Sequence, residues 1–123
     1  MKSKRSYSRA TRVAQNILEV AASLLMSEVK DPRIEHVQLN EVKLTPDLRI
    51  AKVYYILIDS DKFDEEAQTG LESCAGFVRR QLGDRLDLRH IPEIHFIWDE
   101  SVHEGRRIEK LLSEIKYSDE EEK

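Results

Sequence analysis

Leu71-Glu72-Ser73-Cys74-Ala75-Gly76-Phe77-Val78-Arg79-Arg80-Gln81-Leu82-Gly83-Asp84-Arg85-Leu86 is the stretch on which the reading of this chain turns. Leu71, Cys74, Val78, Leu82 and Leu86 recur at steps of three and four, which lines one face of a helix. Small residues, Ser73 to Gly76, interrupt that stripe, and a glycine inside a helix costs ~1 kcal/mol relative to alanine. Sharp bends concentrate at such sites. The spacing therefore predicts a helix, a kink over Ser73, Cys74, Ala75 and Gly76, and a second helix. Arg79, Arg80, Arg85, Arg89 and His90 follow the weak point. A bend that admits another backbone, followed by a row of guanidinium groups, suits a phosphate backbone. A helix broken only to fit around its own core accounts for the same residues.

Upstream, Val13, Ile17, Val20 and Leu24 recur with helical spacing, flanked by Ala14 and Ala21. This predicts an amphipathic helix from Ser8, its N-cap, to about Val29. Residues 1–7 read as a flexible basic arm. Arg9 and Arg12 fall in the first turns, where cations oppose the helix dipole. Lys30-Asp31-Pro32 ends the helix, because the residue before proline is pushed out of the helical region. The period then changes to two. Val37 and Leu39 share one phase, Val42 and Leu44 the other, and the slip at Asn40-Glu41 predicts a bulge. Thr45-Pro46-Asp47-Leu48 reads as a turn. The nearly continuous apolar run from Ile50 to Ile58 reads as a central strand covered on both faces.

Asp59-Ser60-Asp61 supplies caps for the next helix, whose buried stripe is Phe63, Ala67 and Leu71. After Ile91-Pro92, the alternation of Ile94, Phe96 and Trp98 gives a third strand. Ser101 opens a last helix with Ile108, Leu111, Leu112 and Ile115 on one face. The end from about Tyr117 is acidic and expected to be disordered. The expected domain spans 8–116, with the arm before it and the tail, 117–123, after it. The fold class is α+β: a three-stranded sheet with helices packed on one face.

A chain of 123 residues is one domain, able to bury a core without disulfides. The single cysteine, Cys74, excludes a disulfide framework and any zinc site built on paired cysteines. It points to a reducing, cytoplasmic setting. No apolar run approaches the ~20 residues that span a bilayer. The net charge is −4, yet Lys2, Lys4, Arg5, Arg9 and Arg12 precede any acid, and Asp119 to Glu122 gather in the tail. The molecule therefore reads as bipolar.

Catalytic patterns are missing: no Walker-type glycine loop, no nucleophile elbow, no paired-histidine zinc helix. The chain reads as a non-enzyme without a metal or cofactor. His95 reads as a packed or hydrogen-bonded strand residue and Cys74 as a buried, inert thiol. Tyr54 and Tyr55 are similar to strand aromatics that stack single-stranded bases. Adjacent residues face opposite ways, so at least one of the two belongs to the core.

The order helix, strand, strand, helix, helix, strand is that of a type II KH domain, but Gly70, Gly76 and Gly83 are too far apart for its GxxG loop. The chain resembles the ribosome-binding factor A family. The likeness is carried by Arg12-Val13-Ala14-Gln15, Val29-Lys30-Asp31-Pro32-Arg33-Ile34, Thr45-Pro46-Asp47-Leu48, Ala51-Lys52-Val53-Tyr54, Gly76-Phe77-Val78-Arg79 and Leu88-Arg89-His90-Ile91-Pro92-Glu93-Ile94, and it extends through Asp99-Glu100-Ser101. The family's alanine at the break falls on Cys74, beside Ala75, and its serine in the turn on Thr45. The resemblance implies a type II KH-like fold in which an Ala-x-Gly break replaces GxxG. It implies a monomeric, cytoplasmic factor of 30S subunit maturation that binds 16S rRNA. It further implies support for processing of the 16S rRNA 5′ end and for growth in the cold. Ribosomal proteins and other assembly factors are the further expected partners; a membrane is not. Arg5, Arg9, Arg12, Arg79, Arg80, Arg85, Arg89 and His90 are the expected RNA contacts. A protein–protein module working through its acidic end or a sheet edge is the alternative.

Overall fold

The computed structural model of the protein describes residues 2–101, together with 108, 111 and 112, and within that set the side chains from residue 9 onward. Helix α1 (Lys2–Ser27) leads through a 3-10 turn (Pro32–Ile34) to strands β1 (Val37–Leu44) and β2 (Ile50–Leu57). Helix α2 (Glu65–Arg85) and strand β3 (Glu93–Trp98) complete the order. The fold is α+β, as expected, with a single sheet ordered β1-β2-β3. β1 and β2 are antiparallel; β2 and β3, joined across α2, are parallel.

α1 begins at Lys2, so the expected arm is already helical and Ser8 is not its cap. Proline first occurs at position 32 and glycine at position 70, so nothing in the opening residues stops a helix rich in Lys, Arg and Ala. Arg9 and Arg12 consequently sit about two turns inside, beyond the reach of the terminal dipole. At the other end, Asp31 accepts from the Arg33 N–H at 3.0 Å, which caps the 3-10 turn, with Pro32 in its first position.

The bulge falls where the change of phase puts it, between Leu39 and Glu41. It turns Val37 and Leu39, then Val42 and Leu44, to the same side, opposite Leu57, Tyr55, Val53 and Ala51 of β2. α1 packs on β1 and α2 on β3 from that side. Ile17, Leu24, Val53, Leu71, Val78 and Leu82 lose all their exposure there. Each such side chain contributes ~1.5–3 kcal/mol. β2 is central but not covered on both faces: Ile56 is buried on the far side, whereas Lys52 is exposed.

Within the core, the Tyr55 hydroxyl donates to Gln68 Oε1, and Gln68 Nε2 donates to the Phe96 carbonyl at 2.9 Å. Burial pushes the Tyr55 phenol up to about 12. These bonds tie the middle of the sheet to the first turns of α2.

α2 departs most from expectation. It is one helix of 21 residues, undivided at Ser73–Gly76. Leu71, Val78 and Leu82 are buried on both sides of the small-residue run and Cys74 within it, and that packing outweighs a local cost of ~1 kcal/mol. Ser73 Oγ bonds the Thr69 carbonyl at 2.8 Å, within the helix itself. Asp64, not Asp59-Ser60-Asp61, is the N-cap, accepting from the Glu66 N–H at 3.1 Å. Phe63, expected in the core, is half exposed with its ring edge-on to Trp98 at 6.3 Å.

Asp99 likewise displaces Ser101 as a cap. It is buried and accepts from both the Ser101 N–H, at 3.1 Å, and the Ser101 hydroxyl. Ile108, Leu111 and Leu112 are helical and half exposed. Ile115 and the tail from Tyr117 lie outside the described residues.

Candidate nucleic-acid interface

At the N-terminal ends of the parallel strands β2 and β3 the chain forms a cleft of about 1050 Å³. Three segments bring cations to it. The second half of α2 supplies Arg79 and Arg80. The connection to β3 supplies Arg89 and His90. The hairpin turn supplies Arg49. Leu88, Ile50 and Ile91 make its apolar floor, and Asp47 and Glu93 are its acids.

Local chemistry fixes each segment. Leu82 and Val78 anchor the core side of α2, which leaves Arg79 and Arg80 on the exposed side. Arg79 Nη2 donates to the Ile91 carbonyl at 3.2 Å, holding the connection against the helix. The Glu93 N–H donates to the Arg49 carbonyl at 2.8 Å, joining the starts of β3 and β2. The hairpin turn is closed by the Leu48 N–H to the Thr45 carbonyl at 2.8 Å. Asp47 accepts from the Thr45 hydroxyl at 2.6 Å and from the Arg49 N–H at 3.1 Å. Those two bonds, the hydroxyl first, hold the Asp47 carboxyl below its usual range. Leu48 takes φ 61°, a left-handed backbone conformation that residues other than Gly, Asn and Asp avoid. The strain sits one residue before Arg49.

Among the described residues none of Arg49, Arg79, Arg80 and Arg89 forms an ion pair; the carboxylate pairs are Arg33–Asp31, Arg85–Glu28, His36–Asp59 and His95–Glu93. These four guanidinium groups, without an ion pair among the described residues, surround one cleft; Arg79 is bonded to the Ile91 carbonyl, and Arg49, Arg80 and Arg89 can present bidentate donors to an anion.

Of the expected RNA contacts, the structure gathers Arg79, Arg80, Arg89 and His90 here. Arg85 is elsewhere: its Nη2 donates to Glu28 Oε1 at 2.7 Å and ties α2 to the end of α1. Arg9 and Arg12 are exposed on α1 and do not line the cleft, and the Arg5 side chain lies outside the described residues. Arg49 is the cleft cation that sequence reasoning missed. The turn sets it at the mouth of the next strand, and only the pairing of β2 with β3 brings that position to the cleft.

The conspicuous Asp31-Pro32-Arg33-Ile34 segment is not part of the cleft. Arg33 clasps Asp31 through Nη2 at 2.7 Å and Nε at 3.0 Å, and this side-chain bond is the main reason the Asp31 carboxyl lies low. Ile34 and Arg33 pack against Gly70 of α2. Cys74 is buried, and burial raises its thiol. Among the described residues no group of His, Cys, Asp and Glu is placed to hold a metal ion, and no helix is long and apolar enough to cross a membrane.

A second groove, of about 800 Å³ between α1, the 3-10 turn and β1, is mostly apolar, with Lys30, Asp31, Glu35 and Gln38 also in its lining. Met26, 90% exposed, and Ile58, 68% exposed, lie on its rim.

The family model for ribosome-binding factor A matches residues 9–112. The ribosome-binding factor A of Nitrosospira multiformis is 43% identical over 119 residues, 97% of this chain and 94% of that one. That of Geobacter sulfurreducens is 39% identical over 109 residues, 89% and 92% of the two chains. The crystal structure of ribosome-binding factor A from Thermus thermophilus superposes with a TM-score of 0.65 at 19% identity, over 72% of this chain and 93% of that one. A homology model of the Thermus thermophilus factor, as fitted into the cryo-EM map of a 30S complex, gives 0.61 at 19% identity over 74% and 96%. At that identity the two superpositions speak for the fold.

Proposed function

This chain belongs to the ribosome-binding factor A family, and from that premise we propose that it binds the 30S ribosomal subunit during late maturation and seats phosphates of 16S rRNA in the Arg49–Arg79–Arg80–Arg89 cleft. The observation that carries the reading is the cluster of guanidinium groups without an ion pair among the described residues, in a chain whose net charge is negative. A non-specific acid-rich surface would repel RNA; one concentrated cationic cleft gives both attraction and a fixed orientation. Shape then selects the rRNA site. The relative fitted into a 30S complex map shares this fold. The fold is read as a KH-like variant with the two central helices fused into α2. The role extends to 16S rRNA 5′-end processing and growth in the cold. It is exercised in the cytoplasm by a monomer without a catalytic centre.

The test is complementation. In a strain lacking the protein, the wild-type chain restores mature 16S rRNA and growth in the cold, whereas Arg79→Ala/Arg80→Ala leaves precursor 16S rRNA accumulating. Full rescue by that double variant would remove the cleft from the function. Met26 and Ile58, exposed at the apolar groove, favour a protein contact as well. Co-sedimentation with subunits that survives nuclease treatment and is abolished by Met26→Lys would assign the groove to a ribosomal protein.

A further inference from the structure

The sheet face turned away from the helices carries a second set of cations beside an aromatic ring. The register sets Lys43, Lys52 and His95 in one row across all three strands. Glu41, Tyr54 and Ile97 form the neighbouring row. Lys43, Lys52 and His95 are exposed, and Tyr54 is half-buried. Lys43 Nζ stands 5.3 Å from the centre of the Tyr54 ring, so the contact on that ring face is a mobile lysine side chain that a base can replace. His95 Nε2 is 3.3 Å from Glu93 Oε2, whereas among the described residues neither lysine forms an ion pair.

This surface is continuous with the cleft. Ile50 and Glu93 line the cleft, and they form the row beside Lys52 and His95. An RNA strand leaving the cleft would meet Lys52 and Lys43 next, and Tyr54 beside them. We propose that this face is a second nucleic-acid surface, on which Tyr54 stacks a base of a single-stranded RNA segment and Lys43 and Lys52 hold the phosphates flanking it. The inference rests on the RNA-binding reading of the cleft. Aromatic rings on a sheet, bordered by cations, recognise single strands because every base has a π-face. Glu41, opposite Tyr54, sets the course of the strand: its charge repels phosphate from that row and leaves the backbone on the lysine row. A base arriving at the ring displaces the Lys43 ammonium toward the phosphate it then neutralises.

The probe is a fluorescent oligouridine of about 12 nucleotides, titrated into the full-length chain at several salt concentrations. Tyr54→Ala should weaken binding about ten- to a hundredfold, and Tyr54→Phe, which keeps the ring, should bind as the wild type does. Lys43→Gln/Lys52→Gln, whose side chains are exposed and outside the core, should reduce the logarithmic salt slope by ~0.7 for each phosphate that is no longer neutralised. Wild-type affinity in Tyr54→Ala, or equal weakening in Tyr54→Phe, would overturn the stacking role. So would an unchanged salt slope in the double lysine variant. Polyglutamate binding abolished in the lysine variant but kept in Tyr54→Ala would assign the face to an acidic protein and overturn the RNA assignment. Co-sedimentation of Arg79→Ala/Arg80→Ala with 30S subunits, run alongside, reports on the cleft alone, so failure of either site is told from failure of the other.

Discussion

Two glycines of α2 should respond to alanine with opposite signs. A Cβ added at Gly76 meets no atom within 4 Å, because that position faces outward from an uninterrupted helix. Alanine there removes the helix penalty of ~1 kcal/mol and adds no contact. A Cβ added at Gly70 lies 2.8 Å from Ile34 Cγ2 and 3.2 Å from Arg33 Cβ. Ile34 is 5% exposed, so it cannot swing clear. Overpacking of this kind costs ~1–3 kcal/mol, and the gain in helix propensity offsets only part of it. The net expectation is a gain of ~1 kcal/mol for Gly76→Ala and a loss of ~1 kcal/mol for Gly70→Ala. For a chain of this size each corresponds to a shift of roughly 4 °C in Tm. Thermal and urea unfolding followed by circular dichroism would measure both. If Gly76→Ala destabilised the protein, the helix could not be continuous through Ser73–Gly76 with Gly76 outward. If Gly70→Ala raised Tm as well, the contact between the 3-10 turn and α2 would be wrong.

Other consequences follow from individual side chains. Arg85→Ala should cost at most ~1 kcal/mol, since its pair with Glu28 is partly exposed, and should leave 30S co-sedimentation unchanged. Leu48→Gly should stabilise the chain by ~1 kcal/mol in urea unfolding, because it relieves a left-handed leucine whose side chain is 43% exposed. The Asp31 carboxyl, held low chiefly by its bond to Arg33, contributes stability that is present above its unfolded value of 3.8 and is lost as pH falls through the lower folded value. Asp31→Asn should therefore narrow the difference between urea midpoints measured at about pH 6 and about pH 3. Cys74, buried and with its thiol raised by that burial, should react with a thiol reagent only in denaturant; fast labelling of the native chain would contradict its placement.

Much of the scaffold is legible in the sequence where local pattern and tertiary packing agree. The phase change at Asn40-Glu41 reports a bulge because both halves of β1 must face one core. Thr45-Pro46-Asp47-Leu48 reads as a turn because its bonds are made within the turn and its closing pair with Ile50. The undivided α2 was hidden for the opposite reason: the cost of Gly76 is local, whereas the burial of Leu71, Val78 and Leu82 that outweighs it depends on the sheet. Tyr54 and Tyr55 could not be told apart until the register showed Tyr55 inside and Tyr54 on the far face. The cationic site was partly legible, since Arg79, Arg80, Arg89 and His90 lie close in sequence. The partner of Arg85 is 57 residues away, and no local pattern assigns Glu28 to it. Arg49 reaches the cleft only because β3 pairs in parallel with β2, a long-range choice that the intervening helix permits but does not dictate.

The central claim is that the guanidinium groups of one cleft neutralise phosphates of the small subunit. Affinity for purified 30S subunits, measured across a salt series for the wild type and for Arg49→Ala/Arg80→Ala/Arg89→Ala, tests it most directly. Binding should weaken, and the logarithmic slope should become shallower by ~0.7–0.9 for each arginine that touches a phosphate. A slope and affinity equal to those of the wild type would show that the cleft does not hold the RNA.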